Sequence, residues 1–239
     1  MKNEPDIFGL AFADFLKGHT REVILVDTDI SEREELPVSY FFRYFDQMPP
    51  WEQKVLNACR GKVLDVGAGA GSHALYLQKR GLEVTAVDIS PGAVDCMQKR
   101  GVKNAVAADF FSLPEEEKMD TILFLMNGAG LAQKLENLPN MLAKASRLLD
   151  SRGSIYLEST DLIYMFREED GSVMIDLAGN YYGEITYHLH YKEFSGKPFP
   201  WLFVDFENLC DKAAEVGLEC ELFFQDQTDN YVARLFKTG

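Results

Sequence analysis

Cysteine, tryptophan and histidine are scarce in this chain, and basic residues are outnumbered. The four cysteines, Cys59, Cys96, Cys210 and Cys220, form no CxxC pair, so neither a disulfide framework nor a thiolate metal site is expected, and all four read as reduced packing residues. No stretch reaches the ~18 apolar residues of a membrane-spanning helix. The start, MKNEPD, is polar and acidic with no apolar h-region behind it, so no signal peptide is expected and a cytoplasmic protein is. Lys plus Arg number 24 against 38 Asp plus Glu, a net charge of −14, with no basic run. Such a surface repels phosphate backbones at long range and argues against DNA or RNA as the main substrate. Internal repeats and low-complexity segments are absent, and nothing in the composition sets an oligomeric state. What remains is 239 residues, 46% apolar and 26% charged, enough for one large core.

The middle of the chain alternates strand and helix signals. KVLDVG (62–67), EVTAVDIS (83–90), NAVAADF (104–110), TILFLMN (121–127) and SIYLEST (154–160) read as buried strands. Helices are expected over 72–81, from the Ser90-Pro91 cap to Gly101, and over 131–149 with Pro139 opening the second half. Strands alternating with helices imply right-handed crossovers and a parallel sheet. The flanks differ. Residues 7–16 carry an amphipathic helical stripe, 22–26 an extra strand, and 37–50 an aromatic segment. Residues 183–191 alternate, with Ile185, Tyr187, Leu189 and Tyr191 on one face and Glu184, Thr186, His188 and His190 on the other. A turn at 195–198 should close a hairpin with 201–204. A helix over 205–216 and an antiparallel pair, 218–224 with 230–236, complete the chain.

The strongest chemical signal is VLDVGAGAG (63–71), a strand running into a glycine-rich turn and then a helix. Open α/β sheets bind nucleotide-like ligands at such a turn. A dinucleotide fingerprint needs Gly-x-Gly-x-x-Gly/Ala, but counting from Gly67 the sixth residue is Ser72. Asp65 would also repel a pyrophosphate, whereas it suits a cofactor carrying an ammonium or a sulfonium-linked amino acid. Asp88 lies 23 residues after Asp65, where an acid accepts hydrogen bonds from ribose hydroxyls. Asp109 ends the third strand and could accept from an adenine amino group, with Phe110 or Ile89 against the ring face.

These residues carry a resemblance. Residues 60–160 resemble a class I S-adenosylmethionine-dependent methyltransferase: VLDVGAGAG matches its first motif, VTAVDIS the second, AADF the adenine motif and MDTILFLMNGAG the fourth-strand motif. LLDSRGSIYLEST is similar to the usual passage into the fifth strand, and the flanks PVSYFFR and GEITYHLHYKEFSGKPFPWLFV are similar to a bacterial subgroup of unassigned substrate. The resemblance implies an α/β, Rossmann-like, doubly wound sheet of seven mostly parallel strands in the order 3-2-1-4-5-7-6, with strand 7 antiparallel. Residues 1–52 would be an extension or lid and 53–239 the methyltransferase domain, with a hairpin addition at about 180–204. The implied cofactor is S-adenosylmethionine, leaving as S-adenosylhomocysteine. Asp65, Gly67, Ala68 and Gly69 would line its methionine end, Asp88 and Ile89 the ribose and adenine, and Asp109 with Phe110 the adenine. Asn127 and Gly128 would sit beside the sulfonium.

The expected chemistry is methyl transfer to a small molecule, with no nucleic-acid or membrane partner. A cofactor binder without transfer, or an aminopropyl transferase, is the alternative. Catalytic candidates are His73, Asn127 and Tyr40; Glu158 and Asp161 end the fifth strand, where acceptor contacts are common in the family. Arg43 is expected on the methionine carboxylate, since a guanidinium fork matches a carboxylate. Tyr40 and Arg43 should face the site while other aromatics of 37–51 pack, and Tyr187, Tyr191 and Trp201 could wall an apolar pocket. His188 and His190 read as an exposed sheet face, and no metal is expected.

Overall fold

The structure is a computed structural model and describes residues 4–167, 170, 172–174 and 179–238. Residues 1–3 of the expected extension, and 168–169, 171, 175–178 and 239 of the expected 53–239 region, lie outside the described residues. Among the described residues, six α-helices, α1 (Ile7–Leu16), α2 (Pro50–Ala58), α3 (Ser72–Lys79), α4 (Pro91–Arg100), α5 (Leu138–Leu148) and α6 (Phe206–Ala214), accompany twelve strands. The strands are β1 (Val23–Thr28), β2 (Glu34–Pro37), β3 (Lys62–Val66), β4 (Glu83–Asp88), β5 (Ala105–Ala107), β6 (Met119–Phe124), β7 (Leu149–Thr160), β8 (Glu184–Tyr191), β9 (Phe194–Ser195), β10 (Phe199–Leu202), β11 (Leu218–Gln225) and β12 (Asn230–Lys237).

Seven strands form one sheet in the order β11-β12-β7-β6-β3-β4-β5. β3, β4 and β5 pair in parallel, as do β6 and β7, while β12 runs antiparallel to β7 and to β11. Renumbered from β3, this is the expected order, with the antiparallel seventh strand beside the fifth. The second sheet, β10-β8-β1-β2 with β9 on β8, joins the N-terminal extra strand to the C-terminal hairpin region, a pairing the sequence did not suggest.

The chain packs as two compact units, residues 1–114 with 187–199, and 115–186 with 200–239. In the first, β3 reads as a continuous apolar run, buried from Val63 to Val66, as a strand covered on both faces must. Its neighbour β4 aligns Val87 with Val66, and β5 aligns Ala107 with Asp88, so the carboxyl ends of three strands fall at one level. Helix α1 starts on Asp6, whose carboxylate accepts from Gly9 N and also from Ser90 Oγ and Gly92 N at the start of α4. A Cβ on Gly92 would lie 2.4 Å from the Gly9 Cα, so the two glycines let these backbones touch. Phe12, Ile24, Val26, Leu189 and Tyr191 build a core beneath β1 and β8, with Phe41 and Phe42 packed against it.

In the second unit, α5 covers the sheet with Met141, Leu142 and Ala145, and Trp201 packs where any side chain on Gly130 would stand. Three expectations change. Residues 128–137 form short 3₁₀ turns, and the α-helix begins only at Leu138, because Pro139 fits a first helical turn and not an interior. β7 runs through Gly153 from Leu149, with a register shift against β6 absorbing the irregularity. Cys210 and Cys220, read as reduced packing residues, are joined as a disulfide with their Cα atoms 5.3 Å apart; α6 and β11 bring together two thiols whose spacing matches no motif. Cys59 and Cys96 are free and buried, and burial raises their thiol pKa values to about 12 and about 11. Among the described residues no helix is long and apolar enough to cross a membrane.

Candidate functional site

The glycine turn after β3 is held open by its own backbone. Gly67, Gly69 and Gly71 have φ of 69°, 54° and 82°, the left-handed region that side chains resist. A Cβ on Gly67 would meet nothing within 4 Å, so the main chain there faces open space. Gly67 N and Ala68 N donate to Val87 O at 2.9 and 3.1 Å. Asp88 Oδ2 accepts from Gly69 N at 2.8 Å, and its Oδ1 accepts from Ser90 N at 2.9 Å. Asp88 thus shapes the turn itself, which its position in the sequence alone did not suggest. Burial pushes its pKa up, against the backbone donors that favour the charged form.

Asp65 sits one strand over, 2% exposed, and its Oδ2 has no hydrogen-bond partner. Burial raises its pKa to about 6; the His73 charge opposes this and the Asp88 charge adds to it. Beside it lies a buried network that sequence reasoning missed. Glu52 in α2 is fully buried. Its Oε1 accepts from Arg43 Nη2 at 2.7 Å, and its Oε2 stands 3.4 Å from His73 Nε2. Burial disfavours the Glu52 carboxylate, but His73 and then Arg43 outweigh it and hold the pKa below its ordinary value. Burial likewise works against a charged His73, and Glu52 with Asp65 reverse the balance and raise its pKa. His73 therefore stands between two acids that both favour its charged form. A signal for Glu52 was present: Trp51, Glu52, Val55 and Leu56 share one helical face, and that face is buried.

Arg43 lies over the Tyr40 ring at 3.6 Å, and its Nε donates to Tyr40 O at 2.8 Å. Its fork, expected on a ligand carboxylate, is oriented by Glu52 and Tyr40. Ser72 Oγ donates to Phe41 O at 2.7 Å, which ties this aromatic segment to the glycine turn. Val38, Met48 and Trp51 are core, while Tyr40 and Tyr44 are exposed. Asp109 is exposed and caps a 3₁₀ turn through Phe111 N at 2.9 Å. Of the apolar residues expected against an adenine, Ile89 is 75% exposed and Phe110 only 3%; the neighbouring Phe111, not singled out from sequence, is 44% exposed.

In the second unit, Met126 and Asn127 both have φ of 57° and turn the chain sharply after β6, with Gly128 opening the next 3₁₀ turn. Asn127 Oδ1 accepts from Thr160 Oγ1 at 3.0 Å. Glu158 accepts from Met126 N and, at 3.1 Å, from Asn230 Nδ2. Asp161 caps the turn at Leu162–Phe166 and accepts from Tyr182 Oη at 2.7 Å. The acids at the end of β7 are thus held by their own surroundings. Tyr191 is buried in the core beneath β1 and β8 and Tyr187 packs against it, and Trp201 packs on Gly130.

Comparison with known proteins bears on this arrangement. Residues 64–157 match the family described as a methyltransferase domain. A SAM-dependent methyltransferase from Bacteroides fragilis, solved in complex with S-adenosyl-L-homocysteine, is 40% identical, with a TM-score of 0.92 over 100% of this chain and 98% of that one. A cypemycin N-terminal methyltransferase from a Streptomyces species is 32% identical over 102 residues, 41% of this chain and 42% of that protein. A tRNA (uracil(54)-C(5))-methyltransferase from Pyrococcus furiosus is 28% identical over 53% of this chain and 32% of that protein. The chain spans less than half the length of these two curated relatives. The likeness to the Bacteroides protein covers the whole chain, and with the matched methyltransferase domain it shows that this chain belongs to the class I S-adenosylmethionine-dependent methyltransferases.

Proposed function

We propose that this chain moves a methyl group from S-adenosylmethionine to a small-molecule acceptor. The observation that carries the reading is the buried, unpartnered Asp65 Oδ2 beside an open glycine turn, with Asp88 and Asp109 on the next two strand ends. Asp65 would face the cofactor's ammonium, with Gly67, Ala68 and Gly69 along the methionine chain. Asp88 would accept from the ribose hydroxyls with the lone pairs that Gly69 and Ser90 leave. Ile89 and Phe111 would cover the adenine, and Asp109 would take its amino group. Arg43, fixed by Glu52, would meet the carboxylate, and residues 37–51 would close over the ligand as part of the 1–52 lid. Methyl transfer is an in-line displacement whose main demand is alignment.

The net charge of −14 supports a small acceptor and stands against the RNA reading raised by the archaeal relative's name. For the cytoplasmic placement, the two free buried thiols are the supporting observation. The Cys210–Cys220 bridge pulls the other way, so thiol labelling in a fresh lysate tests it: four reactive thiols after unfolding fit the cytoplasm, and two do not.

A second reading, a cofactor holder without transfer, is favoured by the burial of His73, the candidate base, which is 8% exposed with its Nε2 3.4 Å from Glu52 Oε2. Calorimetry with S-adenosylhomocysteine should show one site; absence of heat from folded protein removes both readings. Labelled-methyl transfer from S-adenosylmethionine into a metabolite extract then separates them. Label in low-mass product supports transfer, label only in macromolecules overturns the small-molecule acceptor, and none, with binding intact, leaves the holder.

A further inference from the structure

His188 and His190 leave β8 at i, i+2, on the same face of their sheet. Leu189 and Tyr191 enter the aromatic core on the other face. β1 pairs antiparallel with β8 and sets Asp27 directly opposite His188, with Leu25 opposite His190. Opposed residues of an antiparallel pair share a face, so the register delivers a carboxylate to two imidazoles. Asp27 Oδ2 lies 3.0 Å from His190 Nε2, and the two imidazole rings are 4.1 Å apart between centroids. One ligand atom from each of the three residues lies within 4.8 Å of the other two. Two donors on one tetrahedral zinc ion, each bound at about 2.0–2.1 Å, stand roughly 3.4 Å apart, so small side-chain rotations bring the set to bonding distance.

We propose that Asp27, His188 and His190 form a binding site for a borderline divalent transition cation, Zn²⁺ foremost, with a fourth position left to water. Two imidazoles and one carboxylate suit zinc, copper or nickel; magnesium and calcium take oxygen ligands. The site is reachable from solvent, with side-chain exposures of 19% at His190 and 32% at Asp27. His188 Nε2 meets Gly196 O at 2.9 Å and Ser195 Oγ at 2.8 Å; carbonyl contacts of this kind orient ligating imidazoles. An ion here would fasten β1 to β8, strands that the sequence separates by more than 150 residues.

Arg33 is the competitor. Its Nε and Nη2 each lie 2.6 Å from an Asp27 oxygen. Its side chain is 54% exposed, so water and salt screen the pair, and a divalent ion would compete with it for the same oxygens. This gives the proposal a signature that a merely structural polar cluster lacks: removing Arg33 should strengthen metal binding.

The test is Zn²⁺ titration of the full chain after chelator dialysis, followed by calorimetry against a competing chelator. One equivalent should bind. His188→Ala with His190→Ala should weaken binding at least about 100-fold and Asp27→Asn about tenfold, while Arg33→Gln should tighten it several-fold. Failure of the parent protein to take up zinc overturns the proposal, and so does a double variant with parental affinity, which would place the ion elsewhere. Should the double variant not fold, Cu²⁺ electron paramagnetic resonance on the parent decides: coupling to two nitrogens supports the site, and one or none overturns it.

Discussion

Two buried carboxylates sit near the carboxyl ends of strands in this protein, and they differ in everything but burial. Asp65 on β3 and Glu158 on β7 are each 2% exposed. Glu158 is satisfied by its surroundings, accepting from Met126 N and Asn230 Nδ2. Asp65 keeps an oxygen without a partner, and its pKa rises to about 6, first through burial. A satisfied buried acid stabilises its fold, whereas an unsatisfied one destabilises it until a ligand arrives. Burial alone does not distinguish the two; the unpartnered oxygen of Asp65 at the open glycine turn does.

That contrast is broken most directly at Glu158. Glu158→Ala should lower stability by about 3–5 kcal/mol, since it leaves a buried N–H and an amide without their charged acceptor and opens a cavity. Denaturant unfolding at neutral pH measures it. A loss below about 1 kcal/mol would make Glu158 no more structural than Asp65.

Asp65→Asn should act in the opposite direction. The folded pKa, about 6, lies above the ordinary value of 3.8, so the folded state binds the proton more tightly than the unfolded chain. That group's stability contribution is present below about pH 4 and lost as pH rises through 6. Removing the charge should therefore raise the stability of the ligand-free protein by about 1–3 kcal/mol above pH 6, with the gain vanishing toward pH 4. Affinity for S-adenosylhomocysteine should meanwhile fall about ten- to hundredfold. In the parent protein, ligand binding near pH 6 should release a proton, read as a dependence of calorimetric heat on buffer ionisation enthalpy. A variant less stable at pH 7 would show that Asp65 is structural after all.

Asp88 stands between these two cases, bonded to Gly69 N and Ser90 N and also proposed for the ribose. Asp88→Ala should cost about 1–2 kcal/mol of stability and about tenfold or more in affinity. Asp88→Asn keeps an acceptor for the turn, so it should recover most of the stability and little of the affinity. Recovery of both would reduce Asp88 to a turn residue.

How much of this was legible in the sequence follows from how local each feature is. The glycine turn and the strand-end acids are carried by short apolar runs and fixed spacings, and each reads without knowledge of the rest, whereas the order of the seven-stranded sheet was implied by the family resemblance. The pairing of β1 with β8 is not local: Asp27 and His188 meet only because two strands far apart in the chain share a register, so the histidines read as a bare sheet face. Glu52 was not singled out from the sequence, although its place beside Trp51 and Val55 on one helical face was the clue. The Cys210–Cys220 bridge depends on how α6 meets β11, and residues 131–137 failed as helix because their pattern is shared with 3₁₀ turns.

The smallest effect is expected in the aromatic segment 37–51, which mixes buried and exposed residues. Val38, Met48 and Trp51 are buried, but Tyr40 is 36% and Tyr44 74% exposed. Hydrogen exchange should slow about three- to tenfold over residues 40–47 on adding S-adenosylhomocysteine and stay unchanged over α2, because only the first stretch gains contacts from the ligand. Arg43 sharpens the point. Its guanidinium already holds Glu52 at 2.7 Å, so Arg43→Ala would both bare a buried carboxylate and remove a ligand contact. A cofactor analogue lacking its carboxylate separates the two: a direct contact makes the loss shrink for the analogue, whereas a loss of equal size for both ligands means that Arg43 acts through Glu52 and the fold of the segment. Arg43→Lys adds a second arm, since a point charge can neutralise Glu52 yet cannot present a fork to two oxygens. Stability retained with affinity lost is the pattern that assigns the carboxylate to Arg43.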